Sequence, residues 1–259
     1  YYTVQALNRL GAADILENYL VYLRNIIDAT PSGRIQPLYG VGMEPILQEA
    51  EITSLPGYRG MGPIRIGNQA HEHHQHDVYG QIVLSTVQAF YDTRLFRPAG
   101  IDDFHALESV GERAFAVYDK PDAGLWEFRT KAHVHTYSAL MCWAACDRLG
   151  NAALRLGLGD RAAYWRERAQ TIRIAIETKA WSSDLGRFAA TLGGAEMDAS
   201  LLQMLDTRFV QPTDSRFLAT LEHIERDLRR GDHILRYADE DDFGRPETAF
   251  NFCTFWLIE

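Results

Sequence analysis

The sequence predicts an all-α protein. Three observations carry that reading: apolar residues recur at three- and four-residue spacing along most of the 259 residues, alternating patterns are scarce, and helix punctuation falls between the periodic segments. Helices are expected near residues 1–9, 12–29, 69–92, 101–118, 131–156, 159–181, 197–205, 214–229 and 246–259. Asp160 and Asp214 are placed to open two of them by accepting orphan backbone N–H groups, and Gly150 and Gly159 punctuate a third region. The helices come in pairs with short joints and without a repeat of fixed period. That pattern predicts helical hairpins in a ring or bundle rather than a repetitive solenoid. No linker divides the chain, so residues 1–259 are read as one domain.

The exception to the helical pattern is residues 31–67, where Gly40, Gly42, Pro56, Gly57, Gly60, Gly62 and Pro63 cluster. Short strands are expected there. A connection this long in a compact domain is usually functional or disordered, and Tyr39, Tyr58, Arg59 and Arg65 favour the functional option.

Composition narrows the function. A formal net charge of −9 with no basic patch argues against a nucleic-acid partner. The run Arg226–Arg230 reads as a solvated helix end. No apolar stretch approaches the roughly 20 residues that cross a bilayer, so no membrane partner is expected. Cys142, Cys146 and Cys253 are odd in number, lie in apolar helical stretches and form no CxxC pair; a reducing, cytoplasmic setting is expected. The histidine run His71–His76 lacks the HExxH pattern, and helical spacing leaves only His71 with His74, and His73 with His76 and Asp77, on shared faces. Two histidines per face fall short of a zinc site, so neither a metal nor another cofactor is expected. Both ends break off within apolar helical patterns, at Tyr1 without a cap and at Phe255–Glu259 within an apolar run, which predicts a piece of a longer protein.

The stretch most informative for chemistry is Asp122-Ala-Gly-Leu-Trp-Glu-Phe-Arg-Thr130, a glycine-containing loop ahead of a strongly apolar helix. A carboxyl group beside an indole is partly desolvated, which disfavours the charged form. Glycoside hydrolysis needs such a protonated acid to protonate the leaving oxygen. Glu127 beside Trp126 is therefore the candidate catalytic acid, although the pair alone is better described as a surface Glu next to a core Trp.

The surrounding motifs weigh for the first reading. Gly124-Leu-Trp-Glu-Phe-Arg, His135-Thr-Tyr-Ser and Met141-Cys-Trp-Ala-Ala-Cys-Asp-Arg148 resemble the general-acid segment of glycoside hydrolase family 15, which includes glucoamylases, glucodextranases and certain trehalases. Leu55-Pro-Gly-Tyr-Arg-Gly60, Pro63-Ile-Arg-Ile-Gly-Asn68 and Gln75-His-Asp-Val-Tyr-Gly80 are similar to a second family signature. Asp198-Ala-Ser-Leu-Leu202, Arg236-Tyr237 and Glu247-Thr-Ala-Phe-Asn-Phe-Cys-Thr-Phe-Trp256 are similar to a third.

The resemblance implies an (α/α) six-hairpin toroid, incomplete here with about nine of its twelve helices. It implies inverting, exo-acting hydrolysis of α-glucosidic bonds, with an α-glucan or a glucose disaccharide as the substrate. Glucoamylase-like release of β-glucose is the first reading, trehalase the alternative, and a non-catalytic α-glucan-binding toroid or a helical scaffold the readings from other classes. Glu127 would be the acid, with Trp126, Arg129, Asn68, Gln75, Asp77, Arg236 and Glu247 as substrate-binding residues. The family's glucose-gripping Trp-x-Arg-Asp segment falls before Tyr1 and its catalytic base beyond Glu259, so the chain by itself is expected to be inactive. Acid and base would stand roughly 6.5–9.5 Å apart, leaving room for a water.

Overall fold

The computed structural model describes residues 1–30, 34–242 and 244–259; residues 31–33, which open the predicted 31–67 connection, and Phe243 lie outside the described residues. Nine α-helices are described: α1 Tyr2–Arg9, α2 Ala13–Ala29, α3 Asp77–Thr86, α4 Ile101–Val117, α5 Thr136–Arg155, α6 Gly159–Lys179, α7 Gln203–Asp206, α8 Ser215–Leu228 and α9 Asn251–Ile258. Helix α5 is apolar on nearly every side, so it can only be stable when surrounded. It is buried without a break from Thr136 through Cys146, packed between α3, α4 and α6. By contrast, α6 buries a single stripe (Ala162, Trp165, Ala169, Ile172 and Ile176) and turns its charged face outward.

Small residues set how closely these helices approach. A Cβ at Gly80 of α3 would collide with the main-chain carbonyl of Met141 in α5, so the two helices meet backbone to backbone at that point. This contact lies one turn from Asp77, the first residue of α3, and fixes the depth of that residue in the molecule.

Extended structure is limited to short antiparallel pairs. Strands β1 (Ala50–Ile52) and β2 (Ile64–Ile66) lie inside the predicted 31–67 connection, with Glu51 opposite Arg65. Two further hairpins, β3 (Trp181–Ser182) with β4 (Arg187–Phe188) and β5 (Arg229–Arg230) with β6 (His233–Ile234), are not legible in the periodicity because each strand has two residues. The second of these corrects the Arg226–Arg230 reading: α8 ends at Leu228 and the last two arginines are strand.

Several expected helices are shorter. The segment 69–92 divides into a 3₁₀ turn Gln69–Glu72, an extended stretch, α3, and a second 3₁₀ turn Val87–Phe90. The break has a cause. The Arg34 guanidinium donates to the carbonyls of His71, Glu72 and His73, which a helix would have used, and Asp122 takes the N–H of His76. Helix α5 starts at 136 rather than 131 because His133 pairs with Asp122 and His135 with Thr191 as isolated bridges. Asp214 caps α8 through the Arg216 N–H at 2.9 Å, as expected. Asp160 instead lies inside the first turn of α6, and Gly150 sits within α5 against α6 rather than ending it.

Candidate active site

The loop between α4 and α5 is built to present Glu127. Gly124 has φ +67, and an added Cβ would stand 2.7 Å from the His135 ring, so both the turn and the packing require glycine. Glu127 itself has φ 59. A non-glycine residue there costs of order 1–3 kcal/mol and persists only when its surroundings over-determine it.

Those surroundings are identifiable. Asp122, buried at the start of the loop, accepts the His76 N–H at 2.7 Å and the Ser138 hydroxyl at 2.8 Å, tying the loop to α3 and α5. Ala123 N–H donates to the His74 carbonyl at 2.8 Å, and the Gln75 amide donates to the Gly124 carbonyl at 2.9 Å. On the far side, the N–H groups of Arg129 and Thr130 both donate to Asp242.

The left-handed turn sends two neighbouring side chains to different places. Glu127 lines a cavity of about 350 Å³ together with Gln75, Asp77, Gln81, Tyr39 and Tyr22. Trp126 turns away to a second cluster, where its ring lies 5.9 Å from Phe250, 6.1 Å from Trp256 and 6.3 Å from Tyr237. The Arg236 guanidinium sits 5.7 Å above that indole. The desolvation anticipated for Glu127 from its neighbouring indole is thus not what the structure shows: Glu127 is exposed, and the indole covers other groups.

Burial falls instead on the aspartates. Asp77 is pushed up to about 7, first by burial and then by the nearby Asp122 charge, with Gln81 opposing the shift. Burial likewise raises Asp122 and Asp198, each to about 6. A carboxyl whose folded-state value exceeds its ordinary 3.8 binds protons more tightly when folded, so stability falls as pH rises from about 4 through about 7. Asp77→Asn removes that penalty. The variant's unfolding temperature should exceed that of the parent increasingly between pH 4 and 7 and by a constant margin above, corresponding to at most about 4 kcal/mol. Parallel melting curves across that range test this; a pH-independent difference would contradict it.

The remaining sequence-derived candidates are placed as follows. Asn68 caps the 3₁₀ turn after it, its side-chain oxygen accepting the Ala70 N–H at 2.9 Å. Arg129 reaches Gln69 at 2.9 Å and Glu49 at 3.4 Å. Glu247 is exposed on the approach to α9. Among the described residues, neither these three nor Trp126 and Arg236 line the cavity that holds Glu127, whereas Gln75 and Asp77 do.

Sequence reasoning named Tyr39 only as part of a functional connection and passed over Asp122 and Asp198 as parts of the site, since a buried Asp and a surface Asp look alike in a sequence. Beyond the 3₁₀ turn that ends at Glu72 the His71–His76 run is not helical, so the helical face pairings drawn for it do not exist, and among the described residues no group of three or more His, Cys, Asp or Glu could hold a metal. The three cysteines are free and buried. No described helix is long and apolar enough to cross a membrane.

The family model of glycosyl hydrolases family 15 matches residues 1–259. The chain belongs to this family. Among curated relatives, the trehalase of Mycobacterium tuberculosis is 33% identical over 262 residues, covering 99% of this chain and 38% of the relative. The trehalase of Thermoplasma volcanium is 31% identical over 262 residues, covering 100% of this chain and 41% of the relative. The chain therefore spans about two fifths of the length of the curated relatives it matches. Among solved structures, a wild-type glycosidase superposes with a TM-score of 0.65 at 20% identity, covering 98% of this chain and 63% of that one. The glucoamylase of Saccharomycopsis fibuligera superposes with a TM-score of 0.56 at 13% identity, covering 71% and 46%. The family 15 fold, with its helical hairpins forming part of an (α/α) toroid, accounts for the packing of α3, α4 and α6 against α5.

Proposed function

We propose that this chain supplies the acid side of an inverting α-glucoside hydrolase site and that the substrate is trehalose. The observation that carries the reading is Glu127, held at positive φ on a multiply anchored loop and facing a cavity with Gln75, Asp77 and two tyrosines. Its volume, about 350 Å³, lies within the roughly 300–1,000 Å³ of small-molecule sites.

In the reaction, the Glu127 carboxyl donates its proton to the oxygen bridging the two glucose units as the bond from the anomeric carbon to that oxygen breaks. A second carboxylate takes a proton from a water, which attacks the opposite face of the same carbon; by resemblance to the family, that group lies outside residues 1–259. Asp77, whose burial raises its carboxyl to about 7, and Gln75 and Tyr39 offer hydrogen bonds to sugar hydroxyls. Arg236, stacked on Trp126 outside that cavity, offers a forked donor beside the indole.

Trehalose is preferred over the α-glucan first considered because the curated relatives carry the name trehalase at 33% and 31% identity. A panel of trehalose, maltose, isomaltose, dextran and starch given to the full-length protein tests the choice. Trehalose is expected to be cleaved with the highest kcat/KM. Preference for starch or maltose would return the reading to a glucoamylase, and binding without cleavage of any sugar would favour a non-catalytic toroid.

A further inference from the structure

The anchoring of Trp126 remains to be accounted for. Its indole N–H donates to the Asp198 carboxylate at 2.7 Å, across 72 residues of sequence. Asp198 is 7% exposed and has extended backbone at the head of the 3₁₀ turn Ala199–Leu202. Its other carboxylate oxygen accepts the Ser200 N–H at 2.6 Å, so both oxygens have assigned partners and the side chain has one orientation. The main chain around it is tied to the arginine segment: Asp198 pairs with Tyr237 in an isolated bridge, and Ala199 N–H donates to the Arg236 carbonyl at 2.9 Å.

One residue therefore holds Trp126 with its side chain and the segment carrying Arg236 with its backbone. The consequence for Glu127 is geometric. Trp126 and Glu127 share a peptide bond, and Glu127 stands in a left-handed conformation that relaxes unless held. Asp122 fixes the loop before this pair and Asp242 fixes it after; between them the Glu127 N–H donates to the Gly124 carbonyl at 3.2 Å and the Phe128 N–H to the Ala123 carbonyl at 3.0 Å, and the indole adds a long-range side-chain handle at the pair itself. The rings of Phe250, Trp256 and Tyr237 fill the space around the indole, but apolar packing does not set which edge faces inward. The hydrogen bond to a buried carboxylate does.

We infer that Asp198 is a positioning residue for the general acid, which by holding the Trp126 indole sets the direction of the Glu127 carboxyl. The inference rests on the reading of Glu127 as the acid. Burial raises Asp198 to about 6, against its bonds to Ser200 and Trp126 and the charge of Arg236, so near neutral pH it accepts the indole hydrogen as an anion.

A merely structural role and a positioning role separate on the choice of leaving group. Trehalose releases a sugar hydroxyl that must be protonated, whereas α-glucosyl fluoride releases fluoride, which leaves without a proton from the enzyme. Asp198→Asn, Trp126→Phe and the double variant would be assayed on both substrates in the full-length protein. Trp126→Phe keeps a ring in the cluster and removes only the N–H, so it tests the same bond if the aspartate variant fails to fold. Each single variant is expected to lose about tenfold or more in kcat on trehalose. KM for trehalose and turnover of α-glucosyl fluoride should stay within about threefold, and the double variant should be no worse than the poorer single one. Equal losses on both substrates, no loss on trehalose, or multiplied losses in the double variant would overturn the inference. Glu127→Gln run alongside distinguishes the two levels. If it too fails to separate the substrates, the acid reading falls; if it separates them and the Asp198 and Trp126 variants do not, only the positioning role falls.

Discussion

With Glu127 as the proposed acid, Glu127→Gln in the full-length protein is expected to lower kcat/KM for trehalose by about 10²–10⁴-fold, the range for removal of a general acid. The amide keeps the size of the carboxyl and most of its hydrogen bonding, and Glu127 is exposed, so the loop and the fold should be unaffected. The loss should be confined to substrates with poor leaving groups. Steady-state rates on trehalose and on α-glucosyl fluoride, with unfolding temperature as a control, check this. A variant retaining more than a tenth of parental activity on trehalose would sink the assignment.

Trp165→Ala has the largest expected effect on stability, a loss of about 3–5 kcal/mol. Trp165 is fully buried in α6 where α4, α5 and α6 meet; a Cβ at Gly111 of α4 would run into both its ring and Leu149 of α5. Its N–H donates to Glu108 at 2.8 Å, so truncation leaves a cavity and also takes a partner from Glu108. Trp165→Phe, which keeps most of the volume, should cost about 1–2 kcal/mol. Denaturant unfolding of both variants tests the account. Similar small losses for the two would mean that the three helices do not share one rigid core at this point.

Fold class and helix positions were legible because α5 and α6 write their environments into their periodicity. An all-apolar helix must be surrounded, and a striped one must lie against it. Misread boundaries come from tertiary bonds that periodicity does not encode. The carbonyls of residues 71–73 go to Arg34, some 40 residues away in sequence, and the approach to α5 is held in bridges to Asp122 and Thr191. The motif marked the loop on which Glu127 stands, and its role as the acid is the proposal made above. What the sequence could not convey was the left-handed turn at that residue, which parts it from Trp126 and leaves desolvation to Asp77, Asp122 and Asp198. Gln75 and Asp77 share the cavity with Glu127, while the side chain of Asn68 serves a turn.

The most direct test of the central claim is the proton NMR spectrum of trehalose hydrolysis by the full-length protein, recorded before mutarotation. Inversion at the attacked carbon yields one β-glucose from the glycosyl unit and one α-glucose from the leaving unit, so the account predicts equal amounts of the two anomers at early times. Exclusive release of α-glucose would mean retention and contradict the account.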